Sequence, residues 1–212
     1  MESANKPLFM FEGSAIEQLP IADADVSLYQ QVDLGQSYDD LLHELINDTV
    51  WRQEEITLYG KTHWQPRLTA WYGGKDLNYC YSGISMQPRP WSQTLLKLKA
   101  RIESLVAQGF NSVLLNYYRD HRDGMGMHSD DESELGRRPV IASLSLGEER
   151  TLLLRHKYRK ELVTFKLPLP SGSLLVMKGD TQRFWKHGIM KQKQRCGPRV
   201  NLTFRSIITP SV

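Results

Sequence analysis

Between Asn111 and Ile208 the chain is cut into seven short β-prone runs, at 111–118, 140–146, 151–157, 161–167, 173–178, 183–188 and 199–208, with turn-forming stretches between them. Several short strands separated by turns suit a sandwich or a barrel. The expected fold is therefore mainly β with flanking helices (α+β), built on a double-stranded β-helix, or jelly-roll, core. The last run, Arg199-Val200-Asn201-Leu202-Thr203-Phe204-Arg205, is the most informative. Side chains alternate along a strand, so Arg199, Asn201, Thr203 and Arg205 share one face while Val200, Leu202 and Phe204 share the other. Two arginines facing the same way grip a dicarboxylate well, because guanidinium groups bind carboxylates bidentately. The same alternation also describes an outer strand whose apolar face meets a core and whose arginines are merely solvated.

Two helices are expected beside the strands. Ser37 caps the first, with Asp39 and Asp40 in its opening turn and Leu41, Leu42, Leu45 and Ile46 as its apolar face. Ser92 caps the second, Leu95, Leu98, Ile102, Leu105 and Val106 recur at helical spacing, and Gly109 stands where the residue after the C-cap belongs. From Glu55 to Ser82 the chain is rich in Tyr, Trp and Gly without helical periodicity, which predicts strands with tips at Tyr59-Gly60-Lys61 and Gly73-Gly74. A length of 212 residues fits one structural domain. In chain order it divides into an extension at 1–50 packing on the core, a segment at 51–110 with the supporting helix, and the core at 111–212.

A net charge of +3 is a mild bias towards polyanions, so clustering of basic residues has to carry any argument for nucleic acid. Cys80 and Cys196, with no CxxC spacing, suit a reducing compartment, with a single disulfide as the alternative. Leu8-Phe9-Met10-Phe11 is too short for a signal-peptide core or a membrane span. A cytoplasmic monomer without a membrane partner, nucleoid-associated if bacterial, is the expectation.

The chemistry-bearing pattern is His128-Ser129-Asp130 together with His187. Two imidazoles and one carboxylate form the facial triad that holds non-haem Fe(II) with coordination sites left open. One HxD among six histidines is weak alone. Gly124 and Gly126 mark a loop entering His128, His187 lies on a later β run, and the double-arginine strand follows at short range. Loops at the mouth of a rigid scaffold are where sites concentrate. Iron beside a dicarboxylate clamp points to an oxygenase that uses 2-oxoglutarate and O2. Asn116 and Tyr118 alternate onto one strand face and either add hydrogen bonds to a carboxylate or represent ordinary strand polarity.

The run Asn116-Tyr117-Tyr118, then His128-Ser129-Asp130-Asp131-Glu132, Pro139 to Ser145, Leu169 to Met177 and Arg199 to Arg205 resembles the AlkB-type Fe(II)/2-oxoglutarate dioxygenases. The similarity spans roughly Tyr59 to Ile208 and is strongest to the branch acting on duplex DNA. The resemblance implies that His128, Asp130 and His187 ligate iron, and that Asn116, Tyr118, Arg199, Thr203 and Arg205 hold 2-oxoglutarate with Asn201 nearby. It also implies a DNA-repair activity in which the N-linked methyl group of 1-methyladenine or 3-methylcytosine is hydroxylated and lost as formaldehyde. The target base must be flipped out of the duplex to reach the metal. By the same resemblance, residues 51–110 form a nucleotide-recognition lid, and Asp131, assisted by Glu132, accepts hydrogen bonds from the base's exocyclic amine. Tyr79 and Tyr81 belong to the base-facing strand, with Tyr81 stacking on the base, and Tyr59 aligns with the wedge inserted into the duplex, where tyrosine replaces the family's phenylalanine. A solvated acidic loop, a core aromatic pair and an unassigned hairpin tyrosine are the plainer readings of those residues.

Basic residues cluster at Arg155-His156-Lys157-Tyr158-Arg159-Lys160 and at Lys191-Gln192-Lys193-Gln194-Arg195, with Arg67 a further candidate near the wedge. Such loops would contact phosphates and position alkylated DNA, duplex or single-stranded, with RNA as an alternative substrate. The rival readings are a 2-oxoglutarate oxygenase acting on RNA or protein, and a non-catalytic nucleic-acid-binding protein of the same fold.

Overall fold

The computed structural model describes residues 16–208 except Tyr59, Asp76, Asn78, Ser82, Gly83 and Gln87, with the backbone alone for Thr57, Leu58, Tyr79, Cys80, Tyr81, Ile84, Ser85 and Met86. The Leu8–Phe11 run therefore lies outside the described residues, as does Tyr59. The order is β1 (Ile16–Gln18), β2 (Asp25–Tyr29), α1 (Tyr38–Asp48), β3 (Glu55–Leu58), β4 (Lys61–Trp64), β5 (Leu68–Gly73), β6 (Tyr79–Tyr81), β7 (Ile84–Met86), α2 (Gln93–Val106) and β8 (Ser112–Tyr118). Then come β9 (Met125–His128), a 3-10 turn (Ser133–Leu135), β10 (Ile141–Gly147), β11 (Arg150–His156), β12 (Phe165–Leu169), β13 (Leu174–Lys178), α3 (Thr181–Phe184), β14 (Trp185–Ile189) and β15 (Arg199–Arg205).

Both long helices start where their serines require. Ser37 accepts a hydrogen bond from the Asp40 N–H, and Ser92 accepts one from the Leu95 N–H, each satisfying an otherwise orphaned donor of the first turn. The end of α2 differs from the expectation. Ala107, not Gly109, takes the left-handed conformation (φ 53°). Glu103 explains the early stop. Its carbonyl accepts from the backbone N–H groups of Ala107 and Gln108, and its side chain accepts from Phe110 N–H. Those bonds offset the cost of about 1–2 kcal/mol of a left-handed non-glycine residue.

The strands form two antiparallel sheets that face each other as a jelly roll. The major sheet has the order β1-β2-β13-β10-β15-β8-β5, and the minor sheet β12-β11-β14-β9. The major sheet takes strands from each part of the chain, β1 and β2 from 1–50, β5 from 51–110 and the rest from 111–212. Two hairpins, β3-β4 and β6-β7, stand beside the sheets.

The alternation along β15 is the key to the layers. Val200, Leu202 and Phe204 pack with Val113, Leu115 and Leu144 against Leu41, Leu45, Leu98 and Ile102 of the helices. The opposite face of the major sheet meets the minor sheet through a second apolar cluster that includes Leu114, Tyr118, Ile141, Leu152, Leu154 and Ile189. Fully burying each of the three apolar β15 side chains contributes about 1.5–3 kcal/mol. The strand is buried on both faces, since all seven of its residues are buried. The solvated-strand reading of the arginines is thereby excluded.

Candidate active site

The site lies between the sheets, at the mouth formed by β9 and β14. His128 ends β9 and pairs directly with His187 on β14, which brings the two imidazole rings to 4.3 Å. Gly188 permits this approach, because a Cβ there would lie 2.8 Å from the Met125 carbonyl oxygen on β9. Gly124 is equally constrained, 2.6 Å from the Ile189 carbonyl, whereas Gly126 has open space around it. Asp130 follows two residues after His128, fully buried, with its N–H bonded to Gln182 Oε1 at 2.9 Å. Its carboxylate oxygens lie 3.9 Å from His128 Nε2 and 3.8 Å from His187 Nε2, and one ligand atom from each residue lies within 4.8 Å of the others.

The electrostatics prepare these three groups as ligands. His128 Nδ1 lies 3.0 Å from the Gly126 carbonyl, which only accepts, so the proton sits on Nδ1 and the Nε2 lone pair faces Asp130. Burial, with the neighbouring His128 adding to it and Asp130 opposing, pushes His187 down to about 3. Burial likewise lowers His128. For Asp130, burial favours the neutral acid, but the Arg205 charge, with its hydrogen bond to the carboxylate, outweighs it and holds the carboxyl below its usual range. Arg205 Nη2 donates to Asp130 Oδ1 at 2.6 Å. Two neutral imidazoles and a carboxylate are the protonation states that a divalent metal requires.

A consequence is measurable in the metal-free protein. Between about pH 6.5 and about 3, the unfolded chain protonates the imidazole that the fold keeps neutral at His187. The unfolded state then binds more protons, so stability declines as pH falls through that window. The melting temperature should drop accordingly, and His187→Gln should flatten the pH dependence; an unchanged slope in the variant would count against a neutral buried His187.

The inner faces of β8 and β15 add Asn116, Tyr118, Arg199, Asn201, Thr203 and Arg205 to the cavity lining, beside Ser143 and apolar residues of the facing strands. Their roles separate on inspection. Arg199 is 1% exposed and packs its guanidinium 5.2 Å from the centre of the Tyr118 ring. Its Nη2 donates to Ser145 Oγ at 2.9 Å, while Nε and Nη1 have no hydrogen-bond partner among the described residues. Burial pulls its pKa down. No carboxylate of the described residues lies in salt-bridge reach of this buried cation, an arrangement that costs several kcal/mol unless an anion enters. Asn201 is already engaged, donating to Ser143 Oγ (2.8 Å) and to the Leu144 carbonyl (2.9 Å) and accepting from Thr203 Oγ1 (3.1 Å). Asn116 Oδ1 accepts from Arg67 Nε at 2.8 Å.

Arg67 thus departs from the surface role expected of it. It is 5% exposed and points inward to the cavity wall, so it is not available to backbone phosphates. Lys157 departs in the same way from the rest of its basic run. Its Nζ lies 2.8 Å from Asp131 Oδ2 and 2.8 Å from the Gln182 carbonyl. Arg159 is tied to Glu161 and Asp23, whereas Arg155, Lys160, Lys191, Lys193 and Arg195 remain exposed. Asp131 follows Asp130 in the chain and is 58% exposed, lining a surface cleft with Glu132 and Lys157, and Glu132 stands at the start of the 3-10 turn. Tyr79 and Tyr81 lie on β6, paired with β7, and their side chains are outside the described residues.

Sequence reasoning missed Ser143, Ser145, Gln182 and Arg150. The two serines had a signal, since they alternate on β10 and β10 pairs with β15. Arg150 had none. It is buried, and it donates to the carbonyls of Asp123 (3.0 Å) and Met190 (2.7 Å), tying the loop before β9 to the chain after β14. Cys196 carries a free thiol.

The 2OG-Fe(II) oxygenase superfamily matches residues 26–205 of the chain. The alpha-ketoglutarate-dependent dioxygenase alkB homolog 3 of Mus musculus is 45% identical over 197 residues, which are 89% of this chain and 68% of that protein. The DNA oxidative demethylase ALKBH2 of Homo sapiens is 39% identical over 159 residues, 72% of this chain and 61% of its own length. The chain therefore spans about two thirds of the length of these relatives, and its identity is higher to the first than to the second. OsALKBH1, a solved structure, superposes with a TM-score of 0.60 at 17% identity, covering 91% of this chain and all of that one, which supports the jelly-roll fold.

Proposed function

The chain belongs to the AlkB family of 2OG-Fe(II) oxygenases, and we propose that it is a nucleic-acid repair enzyme removing N-linked methyl groups from alkylated DNA bases. The family is that of iron- and 2-oxoglutarate-dependent dioxygenases, and the residues here fit both groups. His128, Asp130 and His187 converge in suitable protonation states, and the buried Arg199 offers two unspent donors to a carboxylate. When bound, iron and 2-oxoglutarate supply the oxidation of a C–H bond by O2, with succinate and carbon dioxide as co-products.

The chain's own residues position and exclude. In this reading Arg199, with Tyr118 and Asn116 beside it, anchors the distal carboxylate of 2-oxoglutarate. Arg205 orients Asp130 towards the metal position through their 2.6 Å contact. The apolar inter-sheet cluster surrounds the buried Arg205–Asp130 pair with a low-dielectric wall, which strengthens it. Asp131 accepts a hydrogen bond from the exocyclic amine of the flipped base, assisted by Glu132. Alkylation at the Watson–Crick nitrogen leaves such a base cationic, which favours a carboxylate partner. Tyr81, with Tyr79 on the same strand, is assigned to the base, a full stack contributing ~1–3 kcal/mol, and Tyr59 to the wedge. The exposed Lys191, Lys193 and Arg195 are assigned to phosphates, and binding then weakens with salt.

The observation that carries the substrate reading is the exposed carboxylate of Asp131, adjacent in sequence to the buried Asp130. A relative named as a DNA oxidative demethylase supports DNA as the polymer. The test is mass spectrometry of duplex, single-stranded and RNA oligonucleotides carrying one 1-methyladenine, incubated with protein, Fe(II), 2-oxoglutarate and air. Loss of one methyl group from DNA, dependent on both additions, is expected. Succinate without methyl loss would discard this substrate, and loss from RNA alone would reassign the polymer.

A further inference from the structure

Lys157 stands in a basic run at the end of β11, where a solvated lysine is the ordinary outcome, yet only 13% of its side chain is exposed. Two of its three ammonium donors are spent, one on the Asp131 carboxylate and one on the Gln182 carbonyl, each at 2.8 Å. Gln182 is itself 2% exposed, and its side chain receives the Asp130 N–H. Lys157 is therefore tied to the same segment that fixes the backbone of the buried ligand. Asp131, by contrast, is 58% exposed, and Lys157 engages only Oδ2. Its Oδ1 makes no hydrogen bond to the described residues. An exposed aspartate on a loop samples several rotamers, and this one is held through Oδ2 by Lys157, with Oδ1 left open in the surface cleft that both residues line.

We propose that Lys157 is a positioning residue that sets base selectivity, by holding Asp131 with one carboxylate oxygen presented to an incoming base. The proposal rests on the reading of Asp131 as the acceptor for a base amine. Adenine and cytosine present an amine at the position where guanine and thymine present a carbonyl oxygen. A fixed carboxylate accepts from the amine and repels the carbonyl, so fixing it matters only for the first pair. A free Asp131 would turn towards water and lose that distinction. Gln182 transmits the constraint to the neighbouring Asp130, so the presented oxygen keeps its place relative to the metal ligands.

The test compares oligonucleotides carrying 1-methyladenine or 3-methylcytosine with those carrying 1-methylguanine or 3-methylthymine. Two readouts are taken: kcat/KM for methyl loss, and binding by fluorescence anisotropy to the protein held with Fe(II) and 2-oxoglutarate without oxygen. Lys157→Met should lower the amine-to-carbonyl preference about tenfold in both, as expected for losing one oriented charge-assisted hydrogen bond. Carbonyl-bearing substrates should change by less than about twofold. Lys157→Arg, which keeps a cation with several donors, should restore most of the preference. In the Asp131→Ala background, Lys157→Met should have no further effect on it. An equal loss on all four bases, or additive losses in the double variant, would overturn the proposal and leave Lys157 a structural residue. If Asp131→Ala itself spares the preference, the premise falls and the proposal with it, an outcome separate from failure of Lys157 alone.

Discussion

Asp130→Ala is expected to abolish turnover and also to destabilise the protein, a pairing that distinguishes this residue from an ordinary loop aspartate. Its carboxylate is the one anionic group between two neutral imidazoles and the Arg205 guanidinium, and it is itself fully buried. Removing it deletes a metal ligand and strips Arg205 of its 2.6 Å partner. Breaking one side of a buried ion pair costs about 3–5 kcal/mol. Three measurements follow: succinate formation, Fe(II) affinity by equilibrium dialysis, and the melting temperature of the metal-free protein. All three should fall. Retained iron affinity would remove Asp130 from the ligand set, and an unchanged melting temperature would mean that the Arg205 pair contributes nothing to the fold.

Arg199→Met should separate activity from stability in the opposite sense. The KM for 2-oxoglutarate should rise by about a hundredfold or more, since a buried charge pair to a ligand is worth about 2–5 kcal/mol. The metal-free protein should at the same time melt higher. Arg199 is a cation with two unspent donors in an apolar inter-sheet space, and methionine fills similar volume without the desolvation cost. A gain of ~1 kcal/mol corresponds to about 2–4 °C for a chain of this size. A parallel variant, Arg205→Met, should lower both turnover and the melting temperature, because Arg205 already has its carboxylate in Asp130. Identical behaviour of the two variants would refute the division of labour between the arginines.

That division shows where the amino-acid order was sufficient and where it was not. The alternation of β15 placed Arg199 and Arg205 on one face and Val200, Leu202 and Phe204 on the other, and the structure keeps both sets as read. The serine caps of α1 and α2 were equally local, each decided within four residues. His128 and Asp130 were readable from their spacing, and His187 from its place on a later strand. These features depend on backbone periodicity or on contacts between near neighbours, which a linear string records.

What the string does not record is which distant group each side chain meets. Arg205 finds Asp130 across 75 positions, Arg199 finds Ser145 across 54, and Arg67 finds Asn116 across 49. Residues alike in sequence consequently differ in kind: one arginine balances the buried Asp130 carboxylate, one is buried without a carboxylate partner among the described residues, and one is drawn inward from an expected surface. Lys157 is distinguished from Lys160 in the same way, by the Asp131 carboxylate that only folding brings to it. The order of residues thus determined most of the strands, the two faces of β15 and the chemical types available to the site, while Met125–His128 became a strand, Thr181–Phe184 a helical turn, and the run expected at 161–167 a strand only from Phe165. The pairing of those groups, and with it the sign of each effect on stability and activity, was decided by the tertiary structure, because burial removes the water that would otherwise make every charge equivalent.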